Sequence, residues 1–201
     1  LVVWALFMLQ AYLPLNPNHA PNMSWDLALH SMISFLTNTN QQHYSGQAQL
    51  SYLSQMVGIV GLQIITPMMG LAMVVATVRA LFFKPAVTPI AASAVDESFN
   101  EKIKTINVGN YWADVIRPTF RFLLPLCVVW ALFLNSQGVP ATFKGGPEVQ
   151  VLDQTSTLST QKIPLGPVAP MVAIKQLGSN GGGWYGPNSS VPLENPTPLS
   201  N

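Results

Sequence analysis

Residues 178–183, Gly-Ser-Asn-Gly-Gly-Gly, form the stretch whose composition best suits ligand binding, because its glycines follow a short apolar segment, residues 168–177. Glycine has no Cβ, so its backbone can closely approach a ligand and adopt left-handed conformations, which we expect at Gly181. Rings of backbone carbonyls can replace the water shell of a cation. The alternative is a flexible surface loop. A phosphate-binding loop is not indicated, since neither glycine-rich nucleotide-binding pattern is present.

The composition is typical of a membrane protein. Charged residues make up 8% of the chain and hydrophobic residues 49%, whereas about 25% of a soluble domain is charged. No charged residue lies between Asp26 and Arg79, and that gap has room for a half-spanning helix, a loop and a full span. We therefore predict an all-α integral membrane protein. The net charge of +1 argues against nucleic acid as a partner, and Cys127, inside an apolar run, is expected to be a small buried side chain.

The hydrophobic pattern predicts three membrane spans and two short helices. The spans are the end of one at residues 1–13, a complete one at 56–78 and another at 112–134; the short helices are residues 25–36 and 168–177. A helix of 12 residues is about 18 Å long, which is about half of a bilayer. The uncharged polar residues 37–46 follow the first short helix and must line water or protein at that depth. Because the carboxyl end of a helix is partially negative, we expect a cation there.

The distribution of basic residues predicts the topology. Six of the nine lysines and arginines lie between Arg79 and Arg121, so this connector is expected to be cytoplasmic and both polar loops external. Within the connector, residues 95–106 are predicted to form a surface helix. Residues 136–167 are predicted to form an external cap of short strands or coil. His30 and His43 have no second histidine or carboxylate at ligand spacing, so we interpret each as a hydrogen-bonded polar residue.

A weak internal repeat relates the two polar loops. With an offset of 142 residues, residues 35–41 align with residues 177–183, and both contain a hydroxyl residue, Asn and a small residue in the same order. The predicted unit is span, half-helix, loop and span. One unit cannot close a ring of carbonyls, so we expect at least two more units beyond Asn201 and interpret the chain as a fragment. The predicted divisions are residues 1–83 (first repeat), 84–110 (cytoplasmic connector) and 111–201 (truncated second repeat).

The sequence resembles the potassium-binding, channel-like A subunit of the bacterial Kdp potassium-transporting ATPase, over nearly all of its length. The motifs that carry the resemblance are Leu13-Pro14-Leu15-Asn16-Pro17, Ser24-Trp25-Asp26-Leu27-Ala28-Leu29, Ser34-Phe35, Thr37-Asn38-Thr39-Asn40, Tyr44-Ser45-Gly46, Ser54-Gln55-Met56, Gly166-Pro167-Val168-Ala169, Ala173-Ile174-Lys175, Asn180-Gly181-Gly182-Gly183 and Glu194-Asn195-Pro196.

The resemblance implies a fold of potassium-channel-like repeats, each with a pore helix and a filter loop. It also implies which residues bind potassium: Thr37, Asn38 and Thr39 in the first loop, with Asn40 and Gln42 at the mouth, and Gly178, Ser179, Asn180, Gly181 and Gly182 in the second. The chain departs from the family pattern at Ser179, where Thr is usual, at Gln41, where an aromatic residue is usual, and at residues 170–172. The last departure replaces a polar, acidic stretch and leaves Lys175 without its expected partner.

The implied function is that of a non-catalytic subunit, which binds potassium from outside through backbone carbonyls and passes it to a partner. The implied partners are a catalytic P-type ATPase subunit and small accessory subunits in the bacterial inner membrane, and the implied ligand is the potassium ion, with no nucleotide on this chain. Two alternatives stay open: a passive potassium channel or cation symporter of similar architecture, and a structural membrane subunit without an ion site. Lys175 either anchors the short helix as an outward-facing charge or takes part in ion passage.

Overall fold

The computed structural model describes residues 1–39, 41–82, 86–87, 104–105, 108–152, 159–178, 181, 183–186 and 189–201. Its helices are α1 (Val2–Leu9), which ends in a 3₁₀ turn (Gln10–Tyr12), α2 (Trp25–Leu36), α3 (Gly46–Gln49), α4 (Val60–Phe82), α5 (Tyr111–Pro118), α6 (Leu124–Ser136) and α7 (Val168–Leu177). A π-helical segment (Ser54–Ile59) leads into α4, and a second (Thr119–Leu123) joins α5 to α6.

Two short antiparallel strand pairs accompany the helices. Strand β1 (Ala86–Val87) pairs with β2 (Lys104–Thr105), and β3 (Glu148–Gln150) pairs with β4 (Thr160–Lys162). Strands β3 and β4 agree with the short strands or coil expected within residues 136–167, whose external position stays a prediction. The predicted surface helix at 95–106 lies almost entirely outside the described residues. At its carboxyl end the prediction is wrong, because Lys104 and Thr105 pair with β1.

Two helices in the described part of the chain are long and apolar enough to cross a membrane, Ser54–Phe82 and Tyr111–Ser136. They agree with the spans expected at 56–78 and 112–134. Only 33% of the apolar window in the first and 17% in the second is buried, which leaves most of their apolar side chains on the outside, as lipid requires. Arg79 forms a bidentate ion pair with Asp114 and donates a 3.2 Å hydrogen bond to the carbonyl of Val108, so the end of α4 is tied to the start of α5.

The two short helices begin and end where the sequence predicts them, at Trp25–Leu36 and Val168–Leu177. Neither is long enough to cross a bilayer, which takes about 20 residues. The first turn of α2 contains Asp26, whose carboxylate suits the partially positive end of the helix. The Ser24 hydroxyl and the N–H groups of Asp26 and Leu27 lower the pKa of this carboxyl.

Helix α4 is the element around which the two short helices are placed, since it packs against α2, α5 and α7. The π-helical segment before it also contacts α1. A Cβ at Gly58 would lie 2.6 Å from the ring of Phe7, which is fully buried, so only glycine allows this approach. One hydrophobic cluster surrounds α7 and a second lies between α1 and α2. Val60 belongs to the first cluster and the adjacent Ile59 to the second. Cys127 is buried as expected.

Candidate functional site

The first candidate loop turns back over the end of α2. Thr37 ends the helix, and Asn38 has a φ of +58°, a left-handed conformation that asparagine tolerates better than most residues. The N–H of Thr39 then donates a 2.8 Å hydrogen bond to the carbonyl of Ser34. The three residues predicted to supply carbonyls, Thr37, Asn38 and Thr39, are exposed along this turn.

The side chain of Ser34 holds the return path of the first loop. Its hydroxyl donates to the Gln41 carbonyl at 2.7 Å and accepts from the Gln41 N–H at 2.8 Å. Ser34 is 5% exposed but Gln41 is exposed, so these bonds are only partly shielded from water. The hydroxyl oxygens of Thr37 and Thr39 lie 2.7 Å apart. Gln42, expected at the mouth, is half-buried, and its amide nitrogen lies 3.4 Å from the carbonyl of Tyr44.

The second candidate loop follows α7 and turns back in a similar way. Gly178 ends the helix, and its N–H donates to the Ile174 carbonyl at 2.8 Å. A Cβ at Gly178 would lie 2.6 Å from the backbone oxygen of Gln63, so glycine is needed for α7 to approach α4. Gly181 has a φ of +70°, and its N–H donates to the carbonyl of Lys175 at 2.9 Å. The left-handed conformation expected at Gly181 is confirmed.

A buried lysine holds the return path of the second loop. Lys175 is 2% exposed, and its ammonium group donates a hydrogen bond to the Gly183 carbonyl. The carboxylate of Glu194 occupies the space that a Cβ at Gly183 would need. Glu194 is 1% exposed and accepts a 2.7 Å hydrogen bond from the N–H of Tyr185. Burial raises the pKa of Glu194, while the Tyr185 N–H and the positive charge of Lys175 act in the opposite direction.

The expectation that Lys175 lacks a partner is therefore wrong. Its partners are the Gly183 carbonyl, by hydrogen bond, and the charge of Glu194, by electrostatic attraction. Sequence reasoning sought that partner within α7 because residues 170–172 depart from the family pattern. Glu194 was available in the sequence as part of the Glu194-Asn195-Pro196 motif, but the motif does not reveal that this carboxylate lies against Gly183.

Two glutamines of the α4 region contact the second loop, and sequence reasoning gave neither a role there. Gln55 donates to the Trp184 carbonyl at 3.0 Å, and the Gln63 amide nitrogen lies 3.4 Å from the Gly181 carbonyl. Both glutamines are at most 1% exposed. The signal that could have found them is an uncharged polar residue in an apolar span, because such residues face protein or water rather than lipid.

The two loops also approach each other through the residues that follow them. The N–H of Gly46 donates to the Tyr185 carbonyl at 3.3 Å, and a Cβ at Gly46 would overlap the Trp184 carbonyl. The described residues thus include Thr37, Asn38, Thr39, Gln42, Gly178 and Gly181 of the predicted site. Asn40, Ser179, Asn180 and Gly182 lie outside the described residues, so their part in the site stays a prediction.

His30 and His43 lie closer together than sequence spacing suggests. Their rings are in T-shaped contact with centroids 4.6 Å apart, a contact that their spacing in the sequence does not reveal. Within the described residues no group of three or more His, Cys, Asp or Glu side chains is placed to hold a metal ion. His30 Nδ1 is buried without a hydrogen-bond partner among the described residues, so the hydrogen bond expected of His30 is not found at this atom.

The candidate site offers backbone carbonyl groups, and neither loop contains an Asp or Glu residue. Neutral carbonyl oxygens at the partially negative ends of two helices suit a cation that must be bound without being trapped. The fold and the site together define a class: a helical membrane protein with two candidate spans and two short helices, each of which ends at a loop of this kind.

Comparison with known proteins identifies the family within this class. Residues 1–201 match the family described as "Potassium-transporting ATPase A subunit", and the chain belongs to that family. Over 201 residues it is 44% identical to the potassium-transporting ATPase potassium-binding subunit of Pseudomonas putida, covering 100% of this chain and 32% of the relative. The subunits of the same name from Gloeobacter violaceus (99% of this chain) and Leptospira interrogans (100%) are 43% and 42% identical, and the match again covers 32% of each. The chain thus spans about a third of the length of the curated relatives that it matches.

Proposed function

We propose that this chain forms part of a potassium-binding subunit in an ATP-driven potassium uptake complex of the bacterial inner membrane. The family membership and the names of its relatives support this proposal. In it, potassium enters from the external side, loses its water to backbone carbonyls and passes to a partner. ATP hydrolysis belongs to a catalytic P-type ATPase subunit of the same complex, which small accessory subunits complete.

One structural observation carries the proposal. Helices α2 and α7 both end at a loop that reverses through a left-handed residue, Asn38 in one and Gly181 in the other. In both loops an N–H returns to a carbonyl in the last turn of the helix, from Thr39 in the first and from Gly181 in the second. A loop that returns in this way lies at the negative end of its helix, where a cation is favoured.

The proposed architecture is a set of potassium-channel-like repeats. Residues 1–83 would form one repeat, residues 84–110 a cytoplasmic connector and residues 111–201 the first part of the next. The filter carbonyls are assigned to Thr37, Asn38, Thr39, Gly178, Ser179, Asn180, Gly181 and Gly182, with Asn40 and Gln42 at the mouth. Two loops do not close a ring, so the remaining ligands are assigned to other parts of the full-length subunit.

The filter assignment is tested with Gly181→Asp in the purified complex that contains the full-length subunit. A side chain at a φ of +70° is strained by about 1 kcal/mol or more, and a carboxylate disturbs a site that depends on uniform carbonyl dipoles. We expect the potassium concentration for half-maximal ATP hydrolysis to rise at least tenfold and discrimination between potassium and rubidium to weaken.

Gly186→Asp is the matched control, because no heavy atom lies within 4 Å of the position that a Cβ would take there. It should leave both ion curves unchanged. If Gly181→Asp also leaves both curves unchanged in a complex that assembles normally, then the second loop is not a filter.

The alternative of a passive channel or symporter is tested by omitting the subunit. On the proposal, potassium-stimulated ATP hydrolysis is lost when the complex is purified without it. Potassium flux through the isolated subunit that equals flux through the complex, with no dependence on ATP, would favour the passive alternative.

The topology is tested by cysteine accessibility in a Cys127→Ala background. We expect Thr160→Cys to react with an impermeant reagent added outside intact cells and Val108→Cys to be protected, because the basic connector remains inside. Both positions are exposed in the structure. The reverse labelling pattern would overturn the external position of both loops.

A further inference from the structure

Two buried, oppositely charged side chains enclose the backbone that follows the second loop. The ammonium group of Lys175 binds the Gly183 carbonyl, and the Glu194 carboxylate lies against the Cα of the same glycine. Lys175 is 2% and Glu194 1% exposed. Gly183 is therefore held between a cation and an anion that both come from outside the loop itself.

The positive charge is the difficulty in this arrangement. The backbone carbonyl of Lys175 accepts a hydrogen bond from the N–H of Gly181, and the ammonium group of the same residue donates one to the Gly183 carbonyl. The positive charge therefore lies next to a loop that is assigned to bind a cation. Charges in a buried site are poorly screened because water is excluded, so like charges repel more strongly there than at a surface. An unneutralised ammonium group at this position would weaken potassium binding.

We propose that Glu194 is a positioning residue for potassium binding, which neutralises Lys175 and fixes the loop by occupying the space beside Gly183. This inference rests on the proposed function and adds a specific role for a charged pair. It also gives a reason for glycine at residue 183, although its backbone is not in the left-handed region: the carboxylate of Glu194 fills the place of a side chain and would have to move for any other residue.

The test is a double-mutant cycle with Glu194→Gln, Lys175→Met and the double variant, in the complex that contains the full-length subunit. Removing one of two buried opposite charges leaves the other uncompensated, whereas removing both does not. Glu194→Gln is expected to raise the potassium concentration for half-maximal ATP hydrolysis by roughly tenfold or more, with little change in the maximal rate. Adding Lys175→Met to Glu194→Gln removes the uncompensated charge and is expected to recover part of that loss, because the hydrogen bond to the Gly183 carbonyl is lost at the same time.

A purely structural role predicts a different pattern. It would lower the yield of assembled complex or the maximal rate, and the effects of the two substitutions on half-maximal stimulation would multiply. Multiplying effects would overturn the inference. If Glu194→Gln prevents assembly of the complex, we expect the double variant with Lys175→Met to assemble. If neither the single nor the double variant assembles, the proposed role of Glu194 is wrong. Glu194→Asp keeps the charge and should stay within a few-fold of the original protein.

The Gly181→Asp variant separates this inference from the proposed function. If Gly181→Asp leaves the ion curves unchanged, the filter assignment itself fails. If Gly181→Asp shifts them while the effects of Lys175→Met and Glu194→Gln multiply, then only the role of the charged pair is wrong.

Discussion

Each of the two loops turns back onto the end of a short helix, but the first is held by a neutral side chain and the second by charged ones. The first is tied by a neutral hydroxyl, Ser34, which binds both the N–H and the carbonyl of Gln41. The second is tied by the charged pair Lys175 and Glu194, on either side of Gly183. Gln41 and Gly183 are equivalent under the offset of 142 residues, so the same point of each loop is fixed by unrelated side chains.

What the described parts of the two loops have in common is the return of an N–H group to the end of the helix, and not the identity of the tether. The loops also differ in their surroundings. In the first loop, Thr37, Asn38 and Thr39 are exposed. In the second, Gln63 of α4 contacts the Gly181 carbonyl, and Gln55 of the π-helical segment before α4 binds the carbonyl of Trp184, just after the loop. The second loop therefore has more contacts to lose, and we expect substitutions around it to have the larger effects.

The largest effect is expected from Gly183→Val. A side chain there would overlap the Glu194 carboxylate, and overpacking of this kind costs about 1–3 kcal/mol. If this free energy destabilises the potassium-bound form of the loop, the potassium concentration for half-maximal ATP hydrolysis should rise roughly tenfold to a hundredfold. The matched control is Gln41→Val, at the equivalent point of the first loop, where the residue is exposed and already has a Cβ. Equal effects of the two substitutions would contradict the comparison.

A smaller effect is expected from Ser34→Ala in the first loop. The substitution leaves the Gln41 N–H without its partner, and an unsatisfied buried group costs about 1–3 kcal/mol. Partial access to water lowers this cost, so we expect a loss of potassium affinity of roughly fivefold.

The control for Ser34→Ala is Ser31→Ala, one turn earlier in α2. The Ser31 hydroxyl is also buried but donates only to the Leu27 carbonyl of its own helix, at 2.7 Å. Potassium-dependent ATP hydrolysis should be unchanged in this variant. If Ser31→Ala weakens potassium binding as much as Ser34→Ala, then packing of α2, rather than the loop tether, is responsible.

The smallest effect is expected from Gln63→Leu. The contact of Gln63 with the Gly181 carbonyl is long, at 3.4 Å, and its Oε1 is buried without a hydrogen-bond partner among the described residues. An apolar side chain removes both features, so we expect thermal stability to be kept and potassium affinity to fall roughly twofold. Thr66→Val is the control, since its hydroxyl bonds only to Leu62 of the same helix. A loss above tenfold for Gln63→Leu would mean that Gln63 is as important as the charged pair.

The elements of this fold could be predicted from sequence more readily than the contacts that fix the loops. Helices α2 and α7 match their predicted bounds because each is an apolar run that ends at polar or glycine-rich residues. The surface helix at 95–106 was predicted from its charges, yet Lys104 and Thr105 pair with a strand instead. A pairing between residues far apart in sequence leaves no local pattern.

The same reason explains what was missed at the candidate site. The alignment of residues 35–41 with 177–183 predicts where the chain turns, and the left-handed conformation at Gly181 follows from its residue type. The side chains that hold the loops cannot be predicted from this alignment. Ser34 and Lys175 are not equivalent under the offset, and Glu194 lies beyond the aligned residues. Gln63 reaches Gly181 across 118 residues.

Anomalous diffraction can show whether the backbone carbonyls of the two loops bind potassium. Crystals of the complex that contains the full-length subunit would be soaked in rubidium, with and without excess potassium. We expect rubidium at the carbonyls of residues 37–39 and 178–182, and its loss when potassium competes. A rubidium site that potassium displaces at another place in the complex, with none at these carbonyls, would contradict this expectation.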